Sequence, residues 1–441
     1  MVAAALGSCA ARPTLPEWRY PGFDQNHTHV VPVAWRAEWI VEPVAVADLP
    51  SGAGSDATLL FADIVAGPEP EIVICGTRSL AIFGESGNLI AERALAEPHR
   101  AGLAADYDGD GKEDVYFGTV GAARPVVRIW NGRGDVIYEF GPDDSASDYR
   151  SFLPVLLRDG RLYVLARENW PDSPRGLLCY RVPGFQELWD FALPSDPLSM
   201  IVQPGRSGSE VFTFSGTARA QGVFQHLGRD RSSASDLDAA VRLFRTNPAG
   251  EVVGQHAVTV GGATLAGNAE FLPLGPDPAD ALLLIHRSAQ DPEASTPTAL
   301  HVLEAETGVA MASYLLGEER LGGIRVVTGP DQARIVLLTA TGPASSRLRL
   351  MDERLRVLLE ADLDRGPAVL GTVLAPSASR TDAMCFFVLT PGALMLYDSS
   401  LRGRTVAVSH DATQMLCSAT GDRGLIVLLG KELEILRLAV R

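Results

Sequence analysis

The stretch Val127-Arg-Ile-Trp-Asn-Gly-Arg-Gly-Asp-Val-Ile-Tyr138 places two short apolar segments on either side of a turn rich in glycine and aspartate. Short apolar strands around such a turn predict a β-hairpin. The same pattern recurs along almost the whole chain, with further hairpins beginning at Leu80, Leu178, Leu243, Leu300, Leu348 and Leu394. An eighth begins at Leu433 and stops after one strand. This recurrence predicts an all-β repeat architecture.

Each hairpin is preceded by a second unit, in which an apolar strand and a turn lead into a β-branched strand, as in residues 61–76. Every repeat therefore contains four strands. The repeats are predicted to begin near Thr58, Gly102, Ser151, Leu198, Leu265, Gly323, Ala368 and Thr413. Spacings of about 44 to 67 residues are typical of four-stranded propeller blades with insertions. We expect an eight-bladed β-propeller, with a seven-bladed ring plus an extra hairpin as the alternative.

The last repeat ends at Arg441 after three strands, which would leave a sheet edge exposed and the ring unclosed. Trp35–Val46 alternates apolar and polar residues ahead of the first full repeat. We therefore expect this N-terminal strand to complete the last blade. The domain organisation that follows is a leader and strand-free tether over residues 1–32 and a single propeller domain over residues 33–441.

An acidic loop, Asp106-Tyr-Asp-Gly-Asp-Gly-Lys-Glu-Asp114, lies between the first two strands of the second repeat. Its carboxylates occupy loop positions one, three, five and nine, and alternate residues of a tight loop point inward around a hard cation such as calcium. Lys112, at position seven, would offer its backbone carbonyl. An EF-hand is excluded because position twelve is Phe117 and both flanks are predicted strands.

The run Leu103–Gly118 resembles the calcium-loop repeat of FG-GAP and VCBS-type propellers, the architecture also found in integrin α-chain heads. The resemblance implies a calcium ion held by Asp106, Asp108, Asp110 and Asp114, with the Lys112 carbonyl as a further ligand. The first repeat keeps only Asp63 and Glu71 at positions one and nine. We expect one calcium ion, and the alternative is an acidic turn that binds nothing.

Residues Gly184–Trp189 are similar to quinoprotein-type blades, in which a tryptophan links neighbouring blades. The chain has neither an adjacent cysteine pair nor an evident cofactor-sized polar cluster, so a quinone dehydrogenase is not favoured. We expect Trp189, Trp130 and Trp39 to be packing residues.

Composition and charge exclude several classes of partner. The formal net charge is −16, from 38 basic and 54 acidic side chains, so nucleic acid is an unfavourable ligand. No apolar run approaches the roughly 20 residues of a membrane helix. Four of the five cysteines lie in apolar strand-like segments and are predicted to be buried thiols, namely Cys75, Cys179, Cys385 and Cys417.

Cys9 differs from the other cysteines because it closes Leu6-Gly7-Ser8-Cys9, which resembles the lipobox of bacterial lipoprotein signal peptides. The preceding segment lacks the basic and apolar regions of a full signal peptide, so a chance match is the alternative. With a lipid anchor at Cys9, the protein would be exported, as a periplasmic, outer-membrane or cell-surface lipoprotein.

No nucleophile elbow, phosphate loop, dinucleotide fingerprint or zinc-type motif occurs. Two histidines form a His27-x-His29 pair in the leader, and the other six are scattered. These observations favour a non-catalytic protein without excluding an enzyme.

Long loops between the second and third strands of the middle repeats are typical of binding surfaces. They are Thr119–Pro125, Arg167–Gly176, Gly216–Ala239, Arg287–Pro297 and Ala340–Ser346, and they supply Arg124, Trp170, Asp172 and Arg175 as candidate partner-binding residues. The first functional hypothesis is an exported binding or scaffold protein that engages a protein or surface glycan. The second is a propeller-based polysaccharide lyase or hydrolase.

Overall fold

The computed structural model describes residues 30–33, 39–49, 53, 57–65, 70–120, 126–141, 151–158, 160–167, 176–192, 199–204, 210–215, 241–265, 268–274, 281–287, 298–328, 333–363, 366, 368–376, 384–407, 412–420 and 423–440. Within these ranges the chain forms strands and no helix. Most strands belong to eight sheets of mainly antiparallel strands, which are called blades 1 to 8 in chain order.

Blades 1 to 4 each consist of four consecutive strands. They contain β3 (Thr58–Ala62), β4 (Glu71–Gly76), β5 (Ser79–Phe83) and β6 (Leu89–Ala94); β7 (His99–Ala105), β8 (Asp114–Thr119), β9 (Val127–Trp130) and β10 (Val136–Phe140); β11 (Ser151–Arg158), β12 (Arg161–Arg167), β13 (Gly176–Arg181) and β14 (Gln186–Ala192); and β15 (Ser199–Pro204), β16 (Glu210–Ser215), β17 (Arg242–Thr246) and β18 (Val252–Ala257). A short ribbon of β19 (Thr259–Val260) and β20 (Ala263–Thr264) follows blade 4.

Blades 5 to 7 each contain four consecutive strands and blade 8 contains three, and two N-terminal strands join blades 7 and 8. These strands are β21 (Asn268–Pro273), β22 (Ala281–Arg287), β23 (Thr298–Glu304) and β24 (Ala310–Leu315); β25 (Arg320–Thr328), β26 (Ala333–Gly342), β27 (Ser345–Asp352) and β28 (Val357–Leu363); β1 (Val30–Val33) with β29 (Val369–Pro376), β30 (Cys385–Thr390), β31 (Ala393–Asp398) and β32 (Gly403–Ala407); and β2 (Trp39–Asp48) with β33 (Gln414–Thr420), β34 (Arg423–Leu429) and β35 (Glu432–Val440).

The N-terminal strand completes the last blade, as the sequence predicts. β2 pairs antiparallel with β35 from Trp39 opposite Val440 to Asp48 opposite Glu432. The strand runs over Trp39–Asp48 instead of Trp35–Val46, and Trp35 lies outside the described residues. Pairing with β2 removes the free outer edge that β35 would otherwise expose.

A further strand occurs where the sequence analysis expects a strand-free tether. β1 lies parallel to β29 on the inner edge of blade 7, with Val30 opposite Val373 and Val33 opposite Pro376. The segment Val-Val-Pro-Val is rich in β-branched residues, which favour strands wherever an edge is available. Its partner, β29, is far away along the chain, so local sequence could not indicate the pairing.

The core lies within and between the blades. The middle strands β4 and β8 are buried along their whole length, because each blade packs on two neighbours. Every pair of neighbouring blades shares a buried apolar cluster. The ring closes where Phe61 and Ile74 of blade 1 pack in one cluster with Ile426 of blade 8. The four cysteines predicted to be buried are buried thiols that form no disulfide among the described residues.

One local prediction is wrong. Ala340–Ser346 is not a long loop, because β26 extends to Gly342 and β27 begins at Ser345. The Thr-Gly-Pro-Ala segment between the predicted strands forms a tight hairpin, since both strands continue their pairing up to Gly342 opposite Ser345.

Candidate metal centre

The acidic loop connects β7 to β8 and spans residues 106–113. Gly109 and Gly111 adopt φ angles of +79° and +84°, a left-handed backbone that glycine accepts without strain. These two residues allow the chain to turn back on itself within a few positions. As a result, the carboxylates of the loop converge instead of spreading along a strand.

Three of the predicted ligands come together in the structure. Ligand oxygens of Asp106, Asp108 and Asp114 all lie within 4.8 Å of one another, and this is the only such group of three among the described residues. Asp106 and Asp108 are exposed, whereas Asp114 is buried at the start of β8. A donor set made only of carboxylate oxygens suits a hard cation such as calcium, magnesium or manganese.

Backbone amides hold the loop carboxylates in place. Asp106 accepts hydrogen bonds from the amides of Gly109 and Gly111 at 2.7 and 3.0 Å. The amide of Tyr107 donates to Asp114 Oδ2 at 3.0 Å, and the amide of Asp110 donates to Asp108 at 3.1 Å. These bonds fix the carboxylate positions before any ion binds, which reduces the entropy lost on binding.

The electrostatics of the loop disfavour its charged state in the absence of a cation. Burial, and then the neighbouring charges of Asp108, Asp110 and Asp106, raise the pKa of Asp114 to about 6, although the Tyr107 amide opposes the shift. Carboxylates that crowd together repel each other when all are ionised. A divalent ion would neutralise this repulsion.

Neighbouring blades support the loop on both sides. Tyr107 stacks on Phe185 of blade 3, with ring centroids 5.6 Å apart. On the other side, the Lys112 ammonium pairs with Asp63 of blade 1 at 2.7 Å. The amide of Glu113 donates to the Asp63 carbonyl at 2.7 Å, and the Asp63 amide donates to Glu113 Oε2 at 2.8 Å. The loop is therefore held by contacts with both blade 1 and blade 3.

Two predicted ligands are placed differently from the other three. Asp110 is exposed, and its Oδ1 accepts the Lys112 amide at 2.8 Å instead of joining the group of three. The Lys112 side chain points to blade 1, which leaves only its backbone carbonyl for an ion in this loop. Both residues remain predicted ligands from the family resemblance.

The predicted partner-binding residues Arg124, Trp170, Asp172 and Arg175 lie outside the described residues. The strand directions nevertheless define two faces. Because consecutive strands of a blade are antiparallel, the acidic loop and the turns between third and fourth strands emerge on one face, the acidic-loop face. Connections between second and third strands emerge on the other, the long-loop face.

A charged network in blade 6 was not evident from the sequence. Arg349 is buried and binds both carboxylate oxygens of Glu319, at 2.5 and 2.8 Å, and also Glu360 at 2.7 Å. Glu319 lies outside the repeat pattern, in the turn before β25, so spacing gave no signal. Arg349 of β27 therefore joins Glu360 of β28 to Glu319 in the turn before β25.

Trp189 links two blades, in agreement with its predicted packing role. Its indole Nε1 donates to the Pro248 carbonyl at 3.0 Å, and Arg161 donates to the same carbonyl at 2.9 Å. Gly250, in the same turn of blade 4, is so close to the indole ring that a Cβ there would lie 2.6 Å from it. Trp130 is fully buried between blades 1 and 2.

No protein-family model and no curated protein matches the chain. Solved structures with similar folds include the quinohemoprotein alcohol dehydrogenase ADHIIG of Pseudomonas putida HK5, with 11% identity and a TM-score of 0.57 over 96% of this chain and 80% of that chain. The chain is a β-propeller. The corresponding enzyme of Comamonas testosteroni gives 10% identity and a TM-score of 0.58 over the same shares. A europium-containing methanol dehydrogenase gives 8% and 0.55, over 93% of this chain and 89% of that chain.

These identities are low enough that the similarity concerns the propeller fold alone. No helix in the described residues has the length and apolar character needed to cross a bilayer.

Proposed function

We propose that this propeller is an exported, non-catalytic binding or scaffold protein of the FG-GAP/VCBS kind. One calcium ion in the loop of residues 106–114 stabilises it, and it engages a protein or a surface glycan through its long-loop face. The observation that carries the proposal is the convergence of Asp106, Asp108 and Asp114. Two oxygens bonded to one calcium ion at about 2.4 Å lie no more than about 4.8 Å apart, which fits the spacing of the three carboxylates.

The position of the loop supports a stabilising role for the ion. The loop lies between the first two strands of blade 2 and is hydrogen-bonded to blade 1 through Glu113 and Asp63. An ion that holds the loop carboxylates together would also hold the junction of blades 1 and 2. The exposed carboxylates face solvent on the acidic-loop face, away from the proposed binding surface.

The long-loop face supports the recognition role. Residues 120–126, 168–175, 216–241 and 288–297 connect the second and third strands of blades 2 to 5, whereas blades 1, 6, 7 and 8 use tight turns there. Long connections are therefore concentrated on one half of one face, where Arg124, Trp170, Asp172 and Arg175 would contact acidic and apolar groups of a partner.

Export and lipid attachment at Cys9 complete the proposal. The lipobox-like residues Leu6–Cys9 support them. A Cys9→Ser variant expressed in a bacterium should lose incorporation of labelled fatty acid and leave the membrane fraction. Equal labelling of both proteins would contradict the anchor.

Shortening the long loops tests the binding face. Replacing residues 168–175 and 216–241 by tight turns should abolish capture of partners from a cell-envelope extract, while the melting temperature stays close to that of the wild type. A matched control replaces the exposed Asp135 by Asn in the hairpin turn on the acidic-loop face. Unchanged capture by the shortened protein would contradict the binding face, and cleavage of a polysaccharide panel by the wild type would favour the enzyme hypothesis.

A further inference from the structure

Two histidines that are far from the acidic loop lie side by side in blade 5. His286 in β22 is opposite Ala299, and His301 in β23 is opposite Leu284, so the two side chains are diagonal neighbours on one face of the sheet. Their ring centroids are 5.9 Å apart. Both residues are buried, with 8% and 3% of their surface exposed. Neither has a role in the proposed calcium site.

One ring nitrogen of His301 has a hydrogen-bond partner, and the other has none among the described residues. Nδ1 lies 2.8 Å from Ser313 Oγ on the neighbouring strand β24. Nε2 is buried and has no hydrogen-bond partner among the described residues. A buried polar atom without a partner has lost its hydration without gaining a hydrogen bond, so a ligand bound to this nitrogen would be stabilising.

The hydrogen bonding of His301 matches that of histidines that bind metal ions. When Nδ1–H donates to Ser313 Oγ, the lone pair of Nε2 is free to bind an ion. Histidines that bind metals usually donate their second ring N–H to a protein group, which fixes the tautomer and the ring orientation. Burial, followed by the neighbouring His286, lowers the pKa of His301 to about 4, so the ring is neutral at neutral pH.

The separation of the two rings fits a shared ion. A metal bonded at about 2.0 Å to one nitrogen of each ring would lie roughly 3.2 Å from each ring centroid, so the two centroids would be about 5 to 6.4 Å apart. The observed 5.9 Å lies within this range. In the described part of the chain, no third His, Cys, Asp or Glu joins the pair at this spacing, so water or an external ligand would complete the coordination.

We propose that His286 and His301 form a binding site for a transition-metal ion that prefers imidazole ligands, namely Cu⁺ or Zn²⁺. Imidazole nitrogen suits both ions, whereas calcium prefers oxygen, so this site and the acidic loop would select different metals. His286 precedes the last residue of β22, at the end of blade 5 that belongs to the long-loop face. The ion would enter from that face.

Metal titration of the full chain tests the site. The probes are Cu⁺, added without oxygen against a chromophoric chelator, and Zn²⁺, added against a zinc indicator. The protein carries Asp106→Asn and Asp108→Asn, which removes acidic-loop binding, together with His27→Gln and His29→Gln, which removes the histidine pair of the leader. We expect one equivalent of Cu⁺ or Zn²⁺ and an X-ray absorption spectrum with two imidazole nitrogens at about 2.0 Å. His301→Leu and His286→Leu should each weaken binding on the order of 100-fold.

The control is His99→Gln, because both ring nitrogens of buried His99 already have partners, the Glu97 carbonyl and Arg128. In the same acidic-loop background, it should bind the metal as tightly as the protein with His286 and His301 intact. The spectrum of the protein with intact histidines keeps the test decisive if a leucine variant fails to fold. A sulfur ligand shell, equal binding by folded His301→Leu, or no binding by the protein with both histidines would overturn the proposal and leave the pair to an ordered water.

Discussion

Blades 1 and 2 carry equivalent loops between their first two strands, and they balance their charges in different ways. In each loop, the carboxylate at position nine accepts the amide at position two: Glu71 Oε2 accepts Ile64 N–H at 2.8 Å, and Asp114 Oδ2 accepts Tyr107 N–H at 3.0 Å. In blade 1 the other carboxylate, Asp63 at position one, is balanced by a protein group, because it pairs with the Lys112 ammonium. Blade 2 has Asp106, Asp108 and Asp110 beside Asp114, and the side chain of its own Lys112 points away from these acids to blade 1.

The two loops share the hydrogen bond between positions nine and two, and they differ in how their other carboxylates are balanced. In blade 1 the position-one aspartate, Asp63, is paired with Lys112 of the next blade, so no ion is needed to balance its charge. In blade 2 that same lysine is turned away from the loop acids, and their repulsion remains. We infer that blade 1 has a purely structural loop and that blade 2 depends on a cation.

The largest effect is expected from blade 1. Glu71 is buried and also accepts the amide of Val65 at 3.1 Å. Glu71→Ala would leave two amides without an acceptor and should lower the free energy of unfolding by about 2 to 4 kcal/mol, with or without calcium. Urea denaturation measures the loss. Glu71→Gln, which keeps an acceptor oxygen, should lower the free energy of unfolding much less. If added calcium restored the stability of Glu71→Ala, the proposed difference between the two loops would be wrong.

A smaller effect is expected from pH on the calcium-free protein. The folded pKa of Asp114, about 6, lies above the ordinary 3.8, so the folded state binds the proton more tightly. Protonation of Asp114 therefore contributes its full amount to the free energy of unfolding below about pH 3.8, and this contribution is lost as the pH rises through 6. The loss should be about 1 to 2 kcal/mol once solvent screening is allowed for.

Asp114→Asn is the control for this pH effect. In the presence of a chelator, it should flatten the stability profile between pH 4 and 7, as followed by thermal unfolding. Identical slopes in the wild type and Asp114→Asn would show that the acidic loop is not the source.

The smallest effect is expected from the ion pair that links the two loops. Lys112 and Asp63 are about one-third exposed, at 30% and 32%, so the pair should contribute no more than about 1 kcal/mol. A double-mutant cycle of Lys112→Met and Asp63→Asn by urea denaturation measures the coupling. A coupling above 2 kcal/mol would mean that blade 1 depends on this lysine more than its exposure suggests.

Local sequence was sufficient for most of the fold. Each predicted repeat start lies within three residues of the first strand of a blade, because apolar strands and glycine-rich turns are short-range signals. The completing strand was predicted because three strands at the C-terminus demand a fourth. β1 could not be predicted, since its partner β29 is distant in sequence and the pairing is parallel.

The candidate site was predicted in composition but not in all its contacts. Alternating aspartates and two glycines identified the loop, and the structure brings three of the four aspartates together. The partnership of Lys112 with Asp63 depends on how blades 1 and 2 pack, which spacing does not encode. The same limit applies to His286 and His301, which become neighbours only through the register of β22 and β23.

Calcium titration of the purified protein tests the central claim most directly. Isothermal titration should give one bound calcium ion per chain for the wild type and for Asp135→Asn, a control in another turn of the same blade, and none for Asp108→Asn with Asp114→Asn. At a hundredfold excess over the dissociation constant, the ion should stabilise only the first two proteins, by about 2.7 kcal/mol. No binding by the wild type, or equal binding by the doubly substituted protein, would contradict a calcium ion in the loop of blade 2.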